Sequence, residues 1–336
     1  MMKLNVDMTI PLKEAVTSID AFDIDGDGTD EIILTTIGGD IRVLAQDDNS
    51  ETGVREITRL EGLPPVALAG RGCVLEAGKT DFILAGLDNS LYVISYREGR
   101  LSPEGAFPLG ILPTALCVTN VMGDGRDEVI VATNDKALRC YGWYDEGLDK
   151  LAHKVVDYPV FSIYPFKSKS VPYSRFVLGD ESKNLYVYQY ADDRLHEASK
   201  ISTRGPITLV TCGIVTAGRV DEVLGISDGV YMTLYNSDQG SLHVIDNLRA
   251  PGRITSARIG RVTDKSQSPG QIVLSQCNSN IGVISLDGKR LNPTANLRTC
   301  NKTAESHIAL GCPQGDNLDR ILQAVGPTIY VVSVTI

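Results

Sequence analysis

An all-β fold, a seven-bladed β-propeller of four-stranded blades, is what this sequence predicts, and three observations predict it. One short apolar step recurs seven times, its copies lie 47–50 residues apart, and no segment sustains a 3.6-residue hydrophobic period. The step is Asp30-Glu31-Ile32-Ile33, repeated as Asp127-Glu128-Val129-Ile130 and Asp221-Glu222-Val223-Leu224. Weaker copies begin at Asp81, Arg175, Gln271 and Arg320. A unit of that length holding four short strands is a propeller blade.

Each step leads through a Gly-, Asn- or Asp-rich turn into a second apolar strand, such as Ile41-Arg42-Val43-Leu44, Leu91-Tyr92-Val93-Ile94 or Ile329-Tyr330-Val331-Val332. Such turns supply the positive φ that tight hairpins need. Prolines at 64/65, 113, 159, 206 and 251 stand before the first strand of a unit, where a missing N–H costs little. The strands read as nearly continuous apolar runs, which suits sheets covered on both faces by neighbouring blades. The seventh unit ends after its third strand, and Lys3 to Leu12 looks like the outer strand of the other units. The N-terminal strand is therefore expected to complete the last blade and close the ring. One domain over 1–336 follows, with blades at about 13–62, 63–111, 112–157, 158–204, 205–250, 251–303 and 304–336 plus 1–12.

The net charge of −10 and the lack of any Lys/Arg-dense segment exclude nucleic acid as a partner and argue against an anionic membrane surface. The first residues have no apolar core of the kind a secretory signal requires, and no apolar run approaches the ~18 residues that span a bilayer. Seven cysteines without a C-x-x-C pair are expected to be reduced thiols in a cytoplasmic protein.

The densest chemistry lies in Ile19 to Ile33, where Asp23, Asp25 and Asp27 alternate ahead of Gly28 and Glu31. Alternate carboxylates before a glycine form a loop for a hard cation, since Ca²⁺ takes six to eight oxygens and glycine permits the sharp turn. An EF-hand would need a bidentate Glu at the twelfth position and a helix behind it; that position is Leu34, in a strand. The loop therefore joins two strands, and a structural Ca²⁺ is expected rather than a sensor.

The run DIDGDGTDEI resembles the FG-GAP repeat of integrin α-chain heads and related propellers. The third unit (Asn120-Val121-Met122-Gly123-Asp124-Gly125-Arg126-Asp127-Glu128) is a fair copy, the remaining units match in period only, and the Phe-Gly and Gly-Ala-Pro signatures that name the family are absent. In the family's loop, positions one, three, five and nine give side-chain oxygens and position seven a carbonyl. The resemblance thus implies one Ca²⁺ site at Asp23, Asp25, Asp27 and Glu31, with Thr29 through its backbone. Met122 replaces a ligand, so the third loop is expected to hold no ion. Cytoplasmic relatives of this type, such as the propeller subunits of the Bardet–Biedl complex, are docking platforms.

Two enzyme-like motifs fall on hairpins. Gly225-Ile226-Ser227-Asp228-Gly229 matches G-x-S-x-G but runs into a strand where a nucleophile elbow needs a helix. Ala77-Gly78-Lys79-Thr80 resembles a phosphate loop, with the earlier glycine misplaced and a strand following. His153, His196 and His243 are expected near the start of successive outer strands, spread around the rim. Twelve of the twenty aromatic residues fall between Tyr141 and Tyr190, which makes Trp143, Tyr144, Tyr164, Phe166 and Tyr173 candidate anchors for a protein partner, with Lys167-Ser168-Lys169 between them. The segment Thr263 to Gly270 is a second candidate contact loop. The expected function is a non-catalytic cytoplasmic interaction scaffold; the alternative is an enzyme or small-ligand binder, for example of carbohydrate, working in the axial channel.

Overall fold

The computed structural model describes residues 2–166, 173–216, 221–238, 241–263, 270–301, 303–311 and 319–335. The chain opens with β1 (Lys3–Pro11) and then repeats a four-stranded meander. The first blade is β2 (Val16–Phe22), β3 (Glu31–Thr36), β4 (Ile41–Gln46) and β5 (Val54–Leu60). The second is β6 (Val66–Gly72), β7 (Asp81–Gly86), β8 (Ser90–Arg97) and β9 (Arg100–Pro108), and the third β10 (Pro113–Thr119), β11 (Glu128–Thr133), β12 (Ala137–Tyr144) and β13 (Gly147–Val155). The fourth is β14 (Val160–Phe166), β15 (Arg175–Asp180), β16 (Asn184–Ala191) and β17 (Arg194–Ser202), and the fifth β18 (Ile207–Gly213), β19 (Glu222–Ser227), β20 (Tyr231–Asp238) and β21 (Ser241–Arg249). The sixth is β22 (Ile254–Gly260), β23 (Gln271–Gln276), β24 (Asn280–Asp287) and β25 (Arg290–Arg298). The seventh joins β26 (Ser306–Gly311), β27 (Arg320–Val325) and β28 (Thr328–Thr335) to β1. Every sheet is antiparallel, and no helix occurs among the described residues.

Ring closure rests on β1. It pairs with β28 from Lys3 opposite Thr335 to Pro11 opposite Thr328, and shifts register between Val6 and Met8. The other outer strands carry the same irregularity against their neighbours, for example at Val43/Leu44 and Val283/Ile284. A bulge adds local twist, so β1 reproduces the geometry of an outer strand as well as its place. The amides of Leu12 and Val16 then bond the carbonyls of Pro327 and Gly326 at 2.8 and 3.0 Å, fastening the chain's two ends together.

The second strand of every blade is buried at all six positions, the physical counterpart of its unbroken apolar run. The core is divided into clusters between neighbouring blades; Ile10, Ile19, Ile32, Leu322 and Ile329, for instance, join the seventh blade to the first.

The recurrent Asp-Glu pair has a structural function in the three blades that carry it. Glu31, Glu128 and Glu222 are buried at the start of the second strand and reach back over the preceding loop. Their Oε2 atoms accept the amides of Ile24, Val121 and Val215 at 3.0, 2.8 and 2.7 Å. Asp81 and Gln271, at the same position, accept from Leu75 and Val262. The residue before it can hook the previous blade: Asp127 accepts the Cys73 amide at 2.7 Å and donates its own N–H to the Cys73 carbonyl at 2.9 Å. The pair thus closes its own loop and ties it to a neighbour, satisfying backbone groups that would otherwise be buried unpaired.

Candidate functional site

The loop after β2 turns through Gly26 and Gly28, whose φ values of 85° and 89° lie where a side chain is strained. This folds Asp23, Asp25 and Asp27 together, so that each offers a carboxylate oxygen within 4.8 Å of the others at an exposed surface. The loop amides steady them. Asp23 Oδ1 accepts from Gly26 at 2.6 Å and Asp27 at 3.1 Å, its Oδ2 accepts from Gly28 at 2.9 Å, and Asp27 Oδ1 accepts the Thr29 amide at 2.7 Å. Oxygens spaced this closely suit one Ca²⁺, whose ligands sit ~2.3–2.6 Å from the ion. Glu31 is buried and outside that group, its Oε2 accepting the Ile24 amide. Burial pushes its carboxyl up to about 7, the Ile24 bond opposes the shift, and the charges of Asp25, Asp27 and Asp23 add to it.

The third loop keeps the frame. Asn120 accepts the Gly123 amide at 2.5 Å and Asp124 the Arg126 amide at 3.0 Å, while Met122 is exposed and its sulfur meets the Tyr144 hydroxyl at 3.7 Å. The enzyme-like motifs lie on hairpins: Ser227 is buried at the end of β19 and the chain turns directly into β20, and Lys79 pairs with Glu76 at 2.7 Å. One histidine expectation is corrected. His196 and His243 are third in their strands, whereas His153 is near the far end of β13, because that strand begins at Gly147 and Leu148 takes the place of Leu195 and Leu242.

The predicted aromatic anchors do not form one surface. Phe166 is fully buried with Val177, Val187 and Val210, which corrects its reading as an exposed anchor: the last residue of its strand packs against the next blade. Tyr164 is half-buried and lines the axial channel. Trp143 and Tyr144 are half-buried beside the third loop, Trp143 edge-on to Phe107 at 5.7 Å and Tyr144 under Arg126 at 5.3 Å. Tyr173 is half-buried at Gly123 of the same loop. Lys167-Ser168-Lys169 and residues 264–269 of the second contact segment lie outside the described residues.

Six of the ten exposed large apolar side chains among the described residues lie on the opposite face, formed by the second-to-third-strand turns and the linkers between blades. Ile37 and Leu87 occupy turns of the first two blades, Leu112 and Tyr158 linkers, Val155 the end of β13 and Phe161 the start of β14. Val155 is 66% and Phe161 46% exposed, values at odds with a role in packing. Their sequence signal was an apolar residue opening a polar turn, as in Ile37-Gly38-Gly39 and Leu87-Asp88-Asn89.

The axial channel contains a cavity of about 560 Å³ lined by first-strand residues including Asp20, Arg71, Tyr164 and Arg258. Arg71 pairs with Asp20 at 2.6 Å and stacks 3.9 Å from the Phe22 ring centre; Arg258 bonds the Ala257 carbonyl at 3.0 Å.

This fold and site define a seven-bladed propeller with a triad of aspartates in its first loop and exposed apolar side chains on the opposite face. No protein-family profile matches the chain, and no curated protein does. Among solved structures it is similar to the crystal structure of BBS1N in complex with ARL6DN, soaked with mercury. The TM-score is 0.69 at 12% identity, covering 99% of this chain and 97% of that one. The lead-soaked crystal of the same complex gives 0.67 at 13% identity over 98% and 96%. At such identities the likeness is one of fold.

Proposed function

We propose that this chain is a non-catalytic protein-interaction scaffold of the FG-GAP type, whose first loop binds one Ca²⁺. The observation that carries the reading is the apolar set Ile37, Leu87, Leu112, Val155, Tyr158 and Phe161 on one face of a rigid ring. Similarity over nearly the whole chain to a propeller crystallised with a protein partner supports it. In the loop, Asp23, Asp25 and Asp27 would give side-chain oxygens, Thr29 its carbonyl, and Glu31 its Oε1, since Oε2 holds Ile24. Bound Ca²⁺ would offset most of the triad's charge and stiffen the loop. The free thiols at Cys73, Cys117, Cys140, Cys212, Cys277 and Cys300 support a cytoplasmic setting.

Affinity capture of the tagged protein from its native cell, in calcium and in chelator, tests the scaffold. A stoichiometric partner retained by Trp143→Ala/Tyr144→Ala and lost in Val155→Ser/Phe161→Ser is the expected result. No partner under any condition would move the function to the channel. One observation favours that second reading: Arg71 and Arg258 bring more positive charge to the axis than Asp20 offsets, which suits a small anion. Thermal-shift titration with sugar phosphates and carboxylates, repeated on Arg258→Ala, would establish it.

A further inference from the structure

In each blade the residue of the third strand that pairs with the fourth residue of the second strand faces the preceding blade, and the ring shows what fills that place. Opposite Leu34, Leu84, Val131, Leu178, Gly225, Leu274 and Gln323 stand Arg42, Tyr92, Arg139, Tyr186, Thr233, Gly282 and Tyr330. Tyr92, Tyr186 and Tyr330 pack on the cores that their blades share with the preceding ones. Gly282 alone brings no side chain. Its φ is not in the left-handed region, so the backbone does not require glycine there, and a methyl group on it would meet no heavy atom within 4 Å.

The space left open is a recess of about 320 Å³ between the fifth and sixth blades. Met232, Leu248 and Pro251 form one wall and Leu274, Ile284 and Pro293 the other. The volume falls in the ~300–1,000 Å³ range of ligand sites, and the lining is apolar with a few polar groups, as such sites are. Arg249 lines the recess, with Arg253 two residues beyond Pro251 and Arg298 two residues beyond Asn296, another lining residue. Among the described residues none of these three arginines has an ion-pair partner, although the whole chain carries a net charge of −10; Arg249 lies 5.6 Å from the Tyr231 ring centre and Arg298 donates its Nε to the Cys300 carbonyl at 3.1 Å, contacts that leave both charges unneutralised. Asp246, on the same outer strand as Arg249, is spent on the Leu291 amide at 2.7 Å.

We propose that this recess between the fifth and sixth blades is a docking site for an acidic peptide segment of a protein partner, which inserts an aromatic side chain where Gly282 leaves room. The ring itself identifies the anchor, because tyrosine occupies the same place in three other blades, and the arginines, which meet no carboxylate among the described residues, select the acidic flanks. The inference rests on the scaffold reading and adds the partner's chemistry to it.

The test is fluorescence anisotropy of the full chain with a labelled short peptide, a tyrosine flanked on both sides by glutamates. Saturable binding is expected, weakened by salt, and lowered roughly tenfold or more when alanine replaces the tyrosine. Gly282→Tyr should abolish it while melting no lower than the wild type, since the substitution copies three other blades. Arg249→Glu, a change at an exposed position that gives up a contact with the Tyr231 ring, should cost about tenfold and decides the matter should Gly282→Tyr fail to fold. No saturable binding to the wild type, equal binding of the alanine peptide, or binding unchanged in both variants would overturn the proposal. A cellular partner captured equally by wild type and Gly282→Tyr would overturn the recess and leave the scaffold standing.

Discussion

In the first blade the loop between the inner two strands carries Asp23, Asp25 and Asp27; in the third, the matching positions carry Asn120, Met122 and Asp124. Both loops end on a buried glutamate that accepts the amide seven residues earlier, Ile24 for Glu31 and Val121 for Glu128. Burial pushes both carboxyls up to about 7, in each case against the amide bonds and with help from nearby aspartates. The clasp is therefore independent of the acidic triad and belongs to the architecture. What distinguishes the first loop is three carboxylate oxygens within 4.8 Å of one another, a concentration of charge that the third loop lacks. A shared frame with two of its three acidic positions changed separates what folds a blade from what gathers charge.

The largest effect should strike both loops alike. Deleting residues 3–11 strips the seventh blade of its outer strand and should remove most of the roughly 5–15 kcal/mol that holds a domain of this kind, with aggregation seen by light scattering. A truncated chain that stays monomeric and melts unchanged would refute the closure. Next comes Glu128→Ala, which leaves the Val121 and Met122 amides without their acceptor and should cost about 3 kcal/mol in urea unfolding, equally in calcium and chelator. A calcium-dependent cost there would break the comparison.

Calcium should separate the loops. At a hundredfold excess over its dissociation constant it should stabilise the wild type by about 2.7 kcal/mol, an effect absent from Asp25→Asn. Titration calorimetry of Met122→Asp, which restores a carboxylate to the third loop, should reveal a second bound ion; an unchanged stoichiometry would mean that the frame alone does not make the site. The smallest effect concerns pH. Glu128 titrates near 7 when folded and near ~4.3 when unfolded, so the folded state holds the extra proton between those values. Its contribution is full below about pH 4.5 and declines as pH rises towards 7, by on the order of 2 kcal/mol. Glu128→Gln should flatten that decline, and a stability–pH curve identical to the wild type would contradict it.

Much of this was legible in the chain. The seven positions Glu31, Asp81, Glu128, Arg175, Glu222, Gln271 and Arg320, aligned on an apolar step, are the first residues of the seven second strands. The β1 strand could be assigned to the seventh blade because a ring leaves only one edge for it. Among the anchors the reading misplaced Phe166, because an aromatic-rich stretch has the same composition whether it packs or protrudes.

The sequence by itself determined the period, the strand type and the acidic loop, since each depends on residues within one unit: apolar runs, turn glycines and alternating carboxylates act over a few positions. The tertiary structure alone decided everything between units. That Asp127 hooks Cys73, that Phe166 is covered, and that Gly282 opens a recess against Met232 and Leu248 are contacts between residues 34 to 54 positions apart, produced only when blades meet around the ring. Burial from both sides erases the alternation that would otherwise tell which face a side chain takes, so only the assembled ring could reveal it.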